Sequence, residues 1–395
     1  MNVQFIHSGS LQDGSVGPQQ PIGGADTRNR RDVTPTTFAQ TNLISDGSAA
    51  AGPAVATDPN LINPWGVAYS PTGPFWINEN GSGFSSIDSV NGNNVTLNAI
   101  PPVTIAPPDP SVPTASPTGI VFNSFSQSGA FTLPGPDGKP ANFLFATEDG
   151  TISGWAGGTQ STIVVNEANN PADGSEALDA GAVYKGLAIA ETKNGPMLYA
   201  ANFRHGTVDV YNQNFNEVMS FTDKHLPAGY APFNVQVLDG KLFVTFALQD
   251  DAKHDDVAGL GNGFVDEFDL QGHLLQRVAS GGSLDSPWGL AIAPSSFGTF
   301  AGDLLVGNFG NGTISAFDLQ DHDKFAGELT NSNGIPIVIP DLWELIPGNN
   351  GSAGSSSTLY FTSGVQNESD GLFGSITANS MPMSSMTVGS HQMSG

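Results

Sequence analysis

The chain has 395 residues, with 37 Asp and Glu against 12 Lys and Arg, and a formal net charge of −25. This balance argues against nucleic acid and against insertion into or binding to an anionic membrane, because phosphate surfaces are bound by clustered Lys and Arg. Cysteine is absent, so disulfides, thiolate catalysis and Cys-ligated zinc or iron–sulfur sites are excluded. The sequence also contains no P-loop, Gly-x-Ser-x-Gly or His-Glu-x-x-His motif, and we expect no nucleotide or haem.

The chain begins with a segment that has no hydrophobic period. Residues 1–36 are rich in Gly, Gln, Asp and Arg, which predicts a low-complexity N-terminal tail. The first eight residues lack a basic and an apolar region, so no signal peptide is expected in this form. The next segment, Phe38–Ser45, is typical of a β-strand.

A repeated unit organises the chain after this strand. The stretch Asn63–Pro71 (NPWGVAYSP) returns as Ser286–Pro294 (SPWGLAIAP), and each predicts a tight turn followed by a short apolar strand. A second and a third strand follow in both copies, and four weaker copies share the same frame. Copies recur at intervals of roughly 50 residues, the size of a four-stranded propeller blade with insertions. Counted at the residue after Pro-Trp, they lie at Gly66, Gly119, Gly186, Asn234, Gly289 and Glu344.

Six units predict an all-β fold, a six-bladed β-propeller of four-stranded antiparallel blades over residues 37–378. No copy precedes Phe38–Ser45, and the sixth copy stops soon after Ile376. We therefore expect Phe38–Ser45 to form the outer strand of the sixth blade and to close the ring. The alternative is a leading strand that packs elsewhere. Residues 166–182 indicate a loop insertion.

One mouth of the central channel is the expected ligand site. In a propeller, the turn before the innermost strand and the turn after the second strand open on the same face. A small molecule or a glycan is the expected ligand, although the Trp residues would equally suit packing between blades. The repeat frame places the following residues at this mouth: Trp65, Glu79, Asn80, Glu148, Asp149, Asn202, Arg204, His205, Gln249, Asp250, Asp251, Trp288, Asn308 and Trp343.

The densest charge cluster lies in the insertion 249–257. Carboxylates this close need a cation or basic side chains nearby, and their hard oxygen ligands suit Ca²⁺ or another divalent cation. The spacing does not match an EF-hand loop, and the alternative is an exposed acidic loop neutralised by Lys253, His254 and Arg204. The candidate metal ligands are Asp250, Asp251, His254, Asp255 and Asp256.

The chain ends in a Met- and Ser-rich segment, residues 379–395, which predicts a second low-complexity tail. Its soft donors would suit Cu(I), and a flexible linker is the alternative. If either tail binds a neighbouring copy, the contact would be head-to-tail and would make rings or filaments. The donors in question are Met381, Met383, Met386, His391 and Met393.

The Asn-Phe-x-x-Gly-Thr motifs at 202–207 and 308–313 resemble those of NHL-type and SMP-30-like six-bladed propellers. From about Thr41 to Ala378 the chain is similar to a bacterial family of uncharacterised secreted propellers, on stretches 58–66, 146–155 and 253–265. The resemblance implies a propeller fold and export. SMP-30-like lactonases hold a divalent ion in the channel, which by frame implies Glu79, Asn202 and Asn308 here. An Asn before a Gly turn also has a structural use, because it caps its own turn.

Two functions are therefore expected. The first is an extracellular or cell-surface propeller that binds a partner or assembles with itself, with the tails as the expected contact. The alternative is a divalent-metal-dependent, lactonase-like hydrolase or lyase at the channel mouth. The sequence leaves open whether the chain is an enzyme.

Overall fold

The computed structural model describes residues 36–135, 138–169 and 181–379. Within these ranges the only helical elements are two single 3₁₀ turns, Ser126–Ser128 and Gly298–Phe300. No helix in them has the length and hydropathy of a membrane span. Both tails, including the candidate Cu(I) ligands, and most of the predicted insertion 166–182 lie outside the described residues. Self-assembly through the tails and export therefore stay predictions.

The strands form six sheets, which are antiparallel apart from the short pairing of β1 with β2. The chain starts with β1 (Phe38–Ser45) and the two-residue strand β2 (Ala56–Thr57). Blades 1 to 3 follow, each written from the axis outward. Blade 1 has β3 (Pro64–Ala68), β4 (Phe75–Glu79), β5 (Phe84–Asn91), β6 (Asn94–Thr96) and β7 (Val103–Thr104). Blade 2 has β8 (Pro117–Phe122), β9 (Phe143–Thr147), β10 (Thr151–Trp155) and β11 (Thr162–Asn166). Blade 3 has β12 (Tyr184–Thr192), β13 (Gly195–Asn202), β14 (Thr207–Asn212) and β15 (Glu217–Phe221).

Blades 4 to 6 repeat the order. Blade 4 has β16 (Tyr230–Leu238), β17 (Lys241–Leu248), β18 (Phe264–Phe268) and β19 (Leu274–Ser280). Blade 5 has β20 (Pro287–Ile292), β21 (Leu304–Asn308), β22 (Ile314–Asp318) and β23 (Lys324–Glu328). Blade 6 has β24 (Leu342–Pro347), β25 (Leu359–Ser363) and β26 (Leu372–Ala378). Each innermost strand contacts the innermost strands of both neighbours, and β24 contacts β3, so the six blades form a closed ring.

The strand β1 closes the ring as predicted. It pairs antiparallel with β26, from Phe38 opposite Ala378 to Ser45 opposite Leu372, with one bulge between Asn42 and Ile44. The sixth sheet therefore has the order β2-β1-β26-β25-β24 and joins the two ends of the propeller. This pairing covers the β26 edge, which would otherwise offer unpaired backbone groups to another chain.

The outer position of blade 1 is shared by two short strands. The hairpin strand β6 pairs with the end of β5, whereas β7 pairs with its beginning at Phe84 and Ser85. Between them lie Pro101 and Pro102, which have no backbone N–H to donate to a ladder. A continuous fourth strand is therefore interrupted in this blade.

The hydrophobic core is divided among the blade interfaces. Six separate clusters lie between neighbouring blades, as expected when each sheet packs on the next. Strand β1 contributes to two of them, with Phe38 between blades 5 and 6 and with Leu43 and Ile44 between blades 6 and 1. A seventh, aromatic cluster lies on the axis. Strand β1 therefore both closes the ring of blades and contributes to the hydrophobic core.

The innermost strands approach closely at the marked repeat position. A Cβ added at Gly289 would lie 2.4 Å from the backbone oxygen of Trp343, and one at Gly119 would lie 2.5 Å from the backbone nitrogen of Leu187. Real Cβ atoms do not approach other atoms this closely, so glycine is required at Gly119 and at Gly289. Only Asn234 in blade 4 and Glu344 in blade 6 carry a side chain at this level of the ring.

Candidate functional site

One hydrogen bond recurs in all six blades and brings two turns onto one face, here called the top face. In each blade the backbone N–H of the first residue after the second strand donates to the turn before the innermost strand, over 2.8 to 3.0 Å. Three of these acceptor residues, Asn63, Ser286 and Asp341, have a left-handed φ of 46° to 53°. The donor–acceptor pairs are Asn80–Asn63, Glu148–Ser116, Phe203–Val183, Gln249–Gly229, Phe309–Ser286 and Gly364–Asp341.

An aromatic layer crosses the axis just below the top face. The Trp65 and Trp343 rings stack with centroids 3.6 Å apart, and Trp288 meets both edge-on at 6.1 and 5.8 Å. Phe233 lies 5.8 Å from Trp343 and Phe309 stacks on it at 4.2 Å. Each of the three Trp side chains is 1 % exposed. The Trp residues therefore fill the axis and form a floor under the mouth, rather than an open aromatic surface.

Lys185 of β12 is the buried charge at the centre of the site. Its Nζ forms an ion pair with Glu148 of blade 2 and lies 3.3 Å from Oδ1 of Asp255 of blade 4. The same Nζ lies over the Trp65 ring, 4.9 Å from its centroid. Burial opposes the positive charge, but Glu148 and Asp255 outweigh it and raise the pKa of Lys185. Groups from three other blades therefore converge on one ammonium.

A chain of hydrogen bonds leads from this ion pair across the mouth to blade 6. Asn80 Nδ2 donates to Glu148 Oε2 over 2.8 Å, and Asn63 Nδ2 lies 3.4 Å from Asn80 Oδ1. Asn63 also donates to Glu368 Oε2 over 2.7 Å and accepts from Trp343 Nε1 over 3.0 Å. Asn63 thus ties the aromatic floor to the polar cluster above it.

The acidic loop contributes a histidine–carboxylate pair. His254 Nδ1 lies 3.0 Å from Asp255 Oδ1, and their side chains are 38 % and 66 % exposed. The hydrogen bond to Asp255 is the main cause that raises the pKa of His254, and the same bond lowers the pKa of Asp255. Asp250 holds the loop in shape, because its Oδ1 accepts the backbone N–H groups of His254 and Asp255. The solvent-exposed pair is therefore fixed on a pre-formed turn.

Two more carboxyls at the mouth change charge near neutral pH. Burial raises the pKa of Glu368 to about 7 and that of Asp256 to about 6. One oxygen of Asp256 is buried without a hydrogen-bond partner among the described residues, as are the indole nitrogens of Trp65 and Trp288. Perturbed titratable groups and unpaired buried polar atoms at one place are features of functional sites.

Three side chains at the mouth could bind a metal ion, but two of them already pair with the ammonium of Lys185. Glu148, His254 and Asp255 offer ligand atoms that lie within 4.8 Å of one another. The set mixes imidazole and carboxylate, which suits Zn²⁺ or Mn²⁺ better than Ca²⁺. Lys185 already neutralises two of its three members. The other predicted ligands point elsewhere: Asp250 caps the loop, Asp251 is exposed and Asp256 is partly buried.

Glu79, Asn202 and Asn308 do not meet in the channel. Each is the last residue of a second strand, and its side chain binds within its own blade. Glu79 accepts from Ser82, Asn202 donates to Asp209, and Asn308 donates to Thr313. Successive side chains of a strand alternate in direction, so the next residues, Asn80 and Glu148 in their blades, are the ones that face the mouth. The hydrogen bonds of Asn202 and Asn308 therefore fit the alternative in which each Asn caps its own turn rather than binding a metal ion.

The remaining predicted residues surround the cluster without joining it. Asp149 accepts the backbone N–H of Ser116 over 2.7 Å, and Arg204 donates to the backbone oxygen of Gly181. Gln249 donates to the backbone oxygen of Phe203, and His205 Nδ1 lies 3.1 Å from Asn202 Nδ2. Lys253 is exposed, so Lys185 and His254 rather than Lys253 and Arg204 neutralise the acidic loop.

Lys185, Glu368 and Asn63 are members of the site that the sequence analysis did not identify. Lys185 could have been found, because it occupies the frame position of Trp65, Trp288 and Trp343, where a lysine must lie near the axis. Glu368 lies in the turn after β25, and three successive residues there, 366–368, have a left-handed φ. No sequence pattern indicates that such a turn folds back over the axis.

Comparison with solved structures shows the fold. The chain superposes on glucose dehydrogenase with a TM-score of 0.51 and 12 % identity, covering 87 % of this chain and 100 % of that one. The aldose sugar dehydrogenase of Escherichia coli gives a TM-score of 0.50 and 12 % identity, with 87 % and 100 % covered. Both neighbours are six-bladed β-propellers. At this identity the likeness concerns architecture and not activity.

Sequence comparison identifies viral relatives. No family model matches the chain. It is 30 % identical over 349 residues to the uncharacterized protein R648 of Acanthamoeba polyphaga mimivirus, covering 86 % of this chain and 80 % of the viral protein. A second mimivirus protein, the uncharacterized protein L690, is 30 % identical over 334 residues, with 82 % of each chain covered. These relatives are viral rather than bacterial, and secretion stays a prediction. The chain belongs to the same protein family as these two mimivirus proteins.

Proposed function

We propose that the chain is an acid–base enzyme, a hydrolase or lyase that acts on a small polar substrate at the top face. The observation that carries this proposal is the arrangement of His254, Asp255 and Lys185. Asp255 orients the imidazole through Nδ1, and the buried ammonium of Lys185 keeps Asp255 ionised. Within the described residues, His254 Nε2 has no hydrogen-bond partner. A histidine held at one nitrogen by a carboxylate and open at the other is the usual form of a general base.

The other groups at the mouth supply complementary roles. Glu368 has a pKa of about 7, so a large fraction of it carries a proton that a leaving group could receive at neutral pH. Glu148 and Asn80 would bind hydroxyl or amide groups of the substrate. The mouth is lined by carboxylates and amides above a sealed aromatic floor, which favours a polar, hydroxylated substrate over an apolar one.

We favour proton transfer over metal-assisted chemistry for a physical reason. A divalent ion bound to Glu148 and Asp255 would lie beside the Lys185 ammonium, and like charges this close repel strongly at a partly buried site. A metal-dependent version of the same site would need Lys185 to lose its proton or move. The raised pKa of Lys185 opposes deprotonation.

The proposal is tested with a panel of lactones, carboxylic esters and 4-nitrophenyl glycosides, assayed near pH 7.5 with a pH indicator. We expect wild-type turnover of at least one class, and a loss of roughly 10²-fold or more in kcat for His254→Asn. His273→Asn is the matched control, because His273 Nδ1 pairs with Asp269 over 2.9 Å on an exposed turn away from the mouth. EDTA should leave the rate unchanged.

Three results would contradict the proposal. Equal turnover by wild type and His254→Asn would remove the base from the mechanism. Loss of turnover in EDTA, with recovery on Mn²⁺ or Zn²⁺, would replace acid–base chemistry by metal catalysis. No turnover of any class in the panel would favour the binding function over the enzyme.

A further inference from the structure

The face opposite the top face contains a second cavity on the axis, here called the lower funnel. Its volume is about 360 Å³, within the range of small-molecule sites. Three consecutive residues from each of the six innermost strands line it, so every blade contributes equally. The lining residues are 67–69, 120–122, 187–189, 236–238, 290–292 and 345–347.

The side chains that line the lower funnel are almost all apolar. Of the lining residues, only Tyr69 and Gln236 carry polar side-chain groups. The Tyr69 hydroxyl is satisfied, because it donates to the backbone oxygen of Pro347 over 2.6 Å. Phe122, Ile189 and Ile292 are partly exposed, so apolar surface faces solvent inside a concave space. A charged ligand would find no counter-charge among these lining side chains.

A buried carboxyl lies against the lining. Glu344 is 3 % exposed, and its Oε1 accepts from Gln236 Nε2 over 3.3 Å and from the backbone N–H of Leu345 over 3.0 Å. Burial raises the pKa of Glu344 to about 8, so it is mostly protonated at neutral pH. Among the described residues, Tyr69 is the titratable group whose pKa the charge of Glu344 affects. Burial, and to a smaller extent Glu344, raise the pKa of Tyr69 to about 12.

We propose that the lower funnel binds an uncharged, mainly apolar small molecule with one hydrogen-bonding group, which Gln236, positioned by its hydrogen bond to Glu344, recognises. The volume, the apolar walls and the single polar spot at one side are the features of a small-molecule site. The aromatic layer of Trp65, Trp288 and Trp343 separates the funnel from the top face, so this site is independent of the proposed acid–base site.

The test uses N-phenyl-1-naphthylamine, a neutral fluorescent probe with an apolar body and one N–H group, on the full chain. We expect saturable 1:1 binding. Ile292→Trp and Ile189→Trp place bulk in the funnel from two different blades, and each should weaken binding by roughly tenfold or more. Thermal midpoints of both variants establish that they are folded. Between about pH 7 and pH 9 the affinity should fall as Glu344 ionises, because an apolar ligand that excludes water from the funnel disfavours the charged carboxylate behind the lining, and Glu344→Gln should abolish that pH dependence.

Val218→Trp is the matched control, because Val218 lines a separate groove of about 390 Å³ beside the outer strand of blade 3. Unchanged affinity in both funnel variants, or loss of affinity in Val218→Trp, would place the probe outside the funnel and overturn the proposal. Light scattering adds a further outcome. A dimer that Ile292→Trp converts to a monomer would show that a second copy, not a small molecule, covers this face.

Discussion

At the scale of single residues, Arg277 is the clearest example of charge that is structurally required. It lies on β19, and its guanidinium forms ion pairs with Asp266 of β18 and with Asp223 of the loop between blades 3 and 4. The Asp223 and Asp266 side chains are at most 1 % exposed. The Arg277 guanidinium also packs on the Phe264 ring at 4.6 Å. One planar cation thus pairs with two buried acids from different segments.

Arg277→Ala should therefore destabilise the fold strongly. Removing one partner of a buried charge network leaves the other charges uncompensated, at a cost of about 3–5 kcal/mol. Chemical denaturation of the variant measures the loss. Lys324→Ala is the control, because Lys324 and Asp321 form an exposed pair 3.8 Å apart and such pairs contribute at most about 1 kcal/mol. Similar losses in both variants would contradict the structural role of Arg277.

Residues of the site differ in how far the sequence could indicate them. Glu148 and Asn80 follow the second strands of two repeats, so the frame alone places them at the mouth. The repeat frame placed Asn202 and Asn308 at the mouth, but it was wrong by one residue. Because side chains alternate along a strand, these two bind their own turns instead. The Asn63–Glu368 contact joins residues 305 positions apart, and no local pattern contains information on such a pair.

At the scale of elements, β1 is the strand on which the others depend. Phe38 is 1 % exposed, and its ring lies 4.9 Å from that of Phe297 and 6.0 Å from that of Phe300. The backbone N–H of Phe38 also donates to the oxygen of Thr330 in blade 5. The strand therefore binds blade 6 through its ladder and blade 5 through its side chain.

Phe38→Ala should cost about 3–5 kcal/mol, because it removes a buried aromatic side chain and leaves a cavity. Thermal and denaturant unfolding measure the change. Phe325→Ala is the matched control on the outer strand of blade 5, where the Phe325 side chain is 47 % exposed. Equal stability of Phe38→Ala and wild type would mean that β1 does not hold the ring closed.

Elements were predictable where the repeat is regular. The period and the Pro-Trp-Gly turns indicated the innermost strands, and the absence of a copy before β1 indicated its place in blade 6. The sequence did not predict that two short strands, β6 and β7, share the outer edge of blade 1. Where each of them lies depends on which part of β5 it pairs with. Pairing of that kind is set by tertiary contacts rather than by the local pattern.

At the scale of the whole molecule, the acidic composition has a thermodynamic consequence. Two carboxyls are buried so deeply, without a cationic partner, that burial raises the pKa of Glu79 and that of Glu344 to about 8. The folded chain then holds protons that the unfolded chain releases above about pH 4.5. Stability from these groups is complete below that pH and is lost as pH rises through about 8.

We therefore expect a lower thermal midpoint near pH 8.5 than near pH 6. Glu344→Gln and Glu79→Gln should each reduce this difference, because a neutral amide does not titrate. Asp109→Asn is the control, since Asp109 is exposed and its pKa is lowered rather than raised, so it is ionised throughout this range. A midpoint that rises from pH 6 to pH 8.5 would contradict the assignment of these acids as protonated in the folded chain.

The aromatic layer also gives the molecule an internal optical reporter. Its three indoles come from blades 5, 6 and 1, the blades that meet where the two ends of the chain are joined. With ring centroids 3.6 Å apart, the electronic transitions of Trp65 and Trp343 are strongly coupled. If β1 separates from β26, the spacing of these rings changes before the remaining blades unfold. Near-ultraviolet circular dichroism can therefore follow the opening of the ring in unlabelled protein.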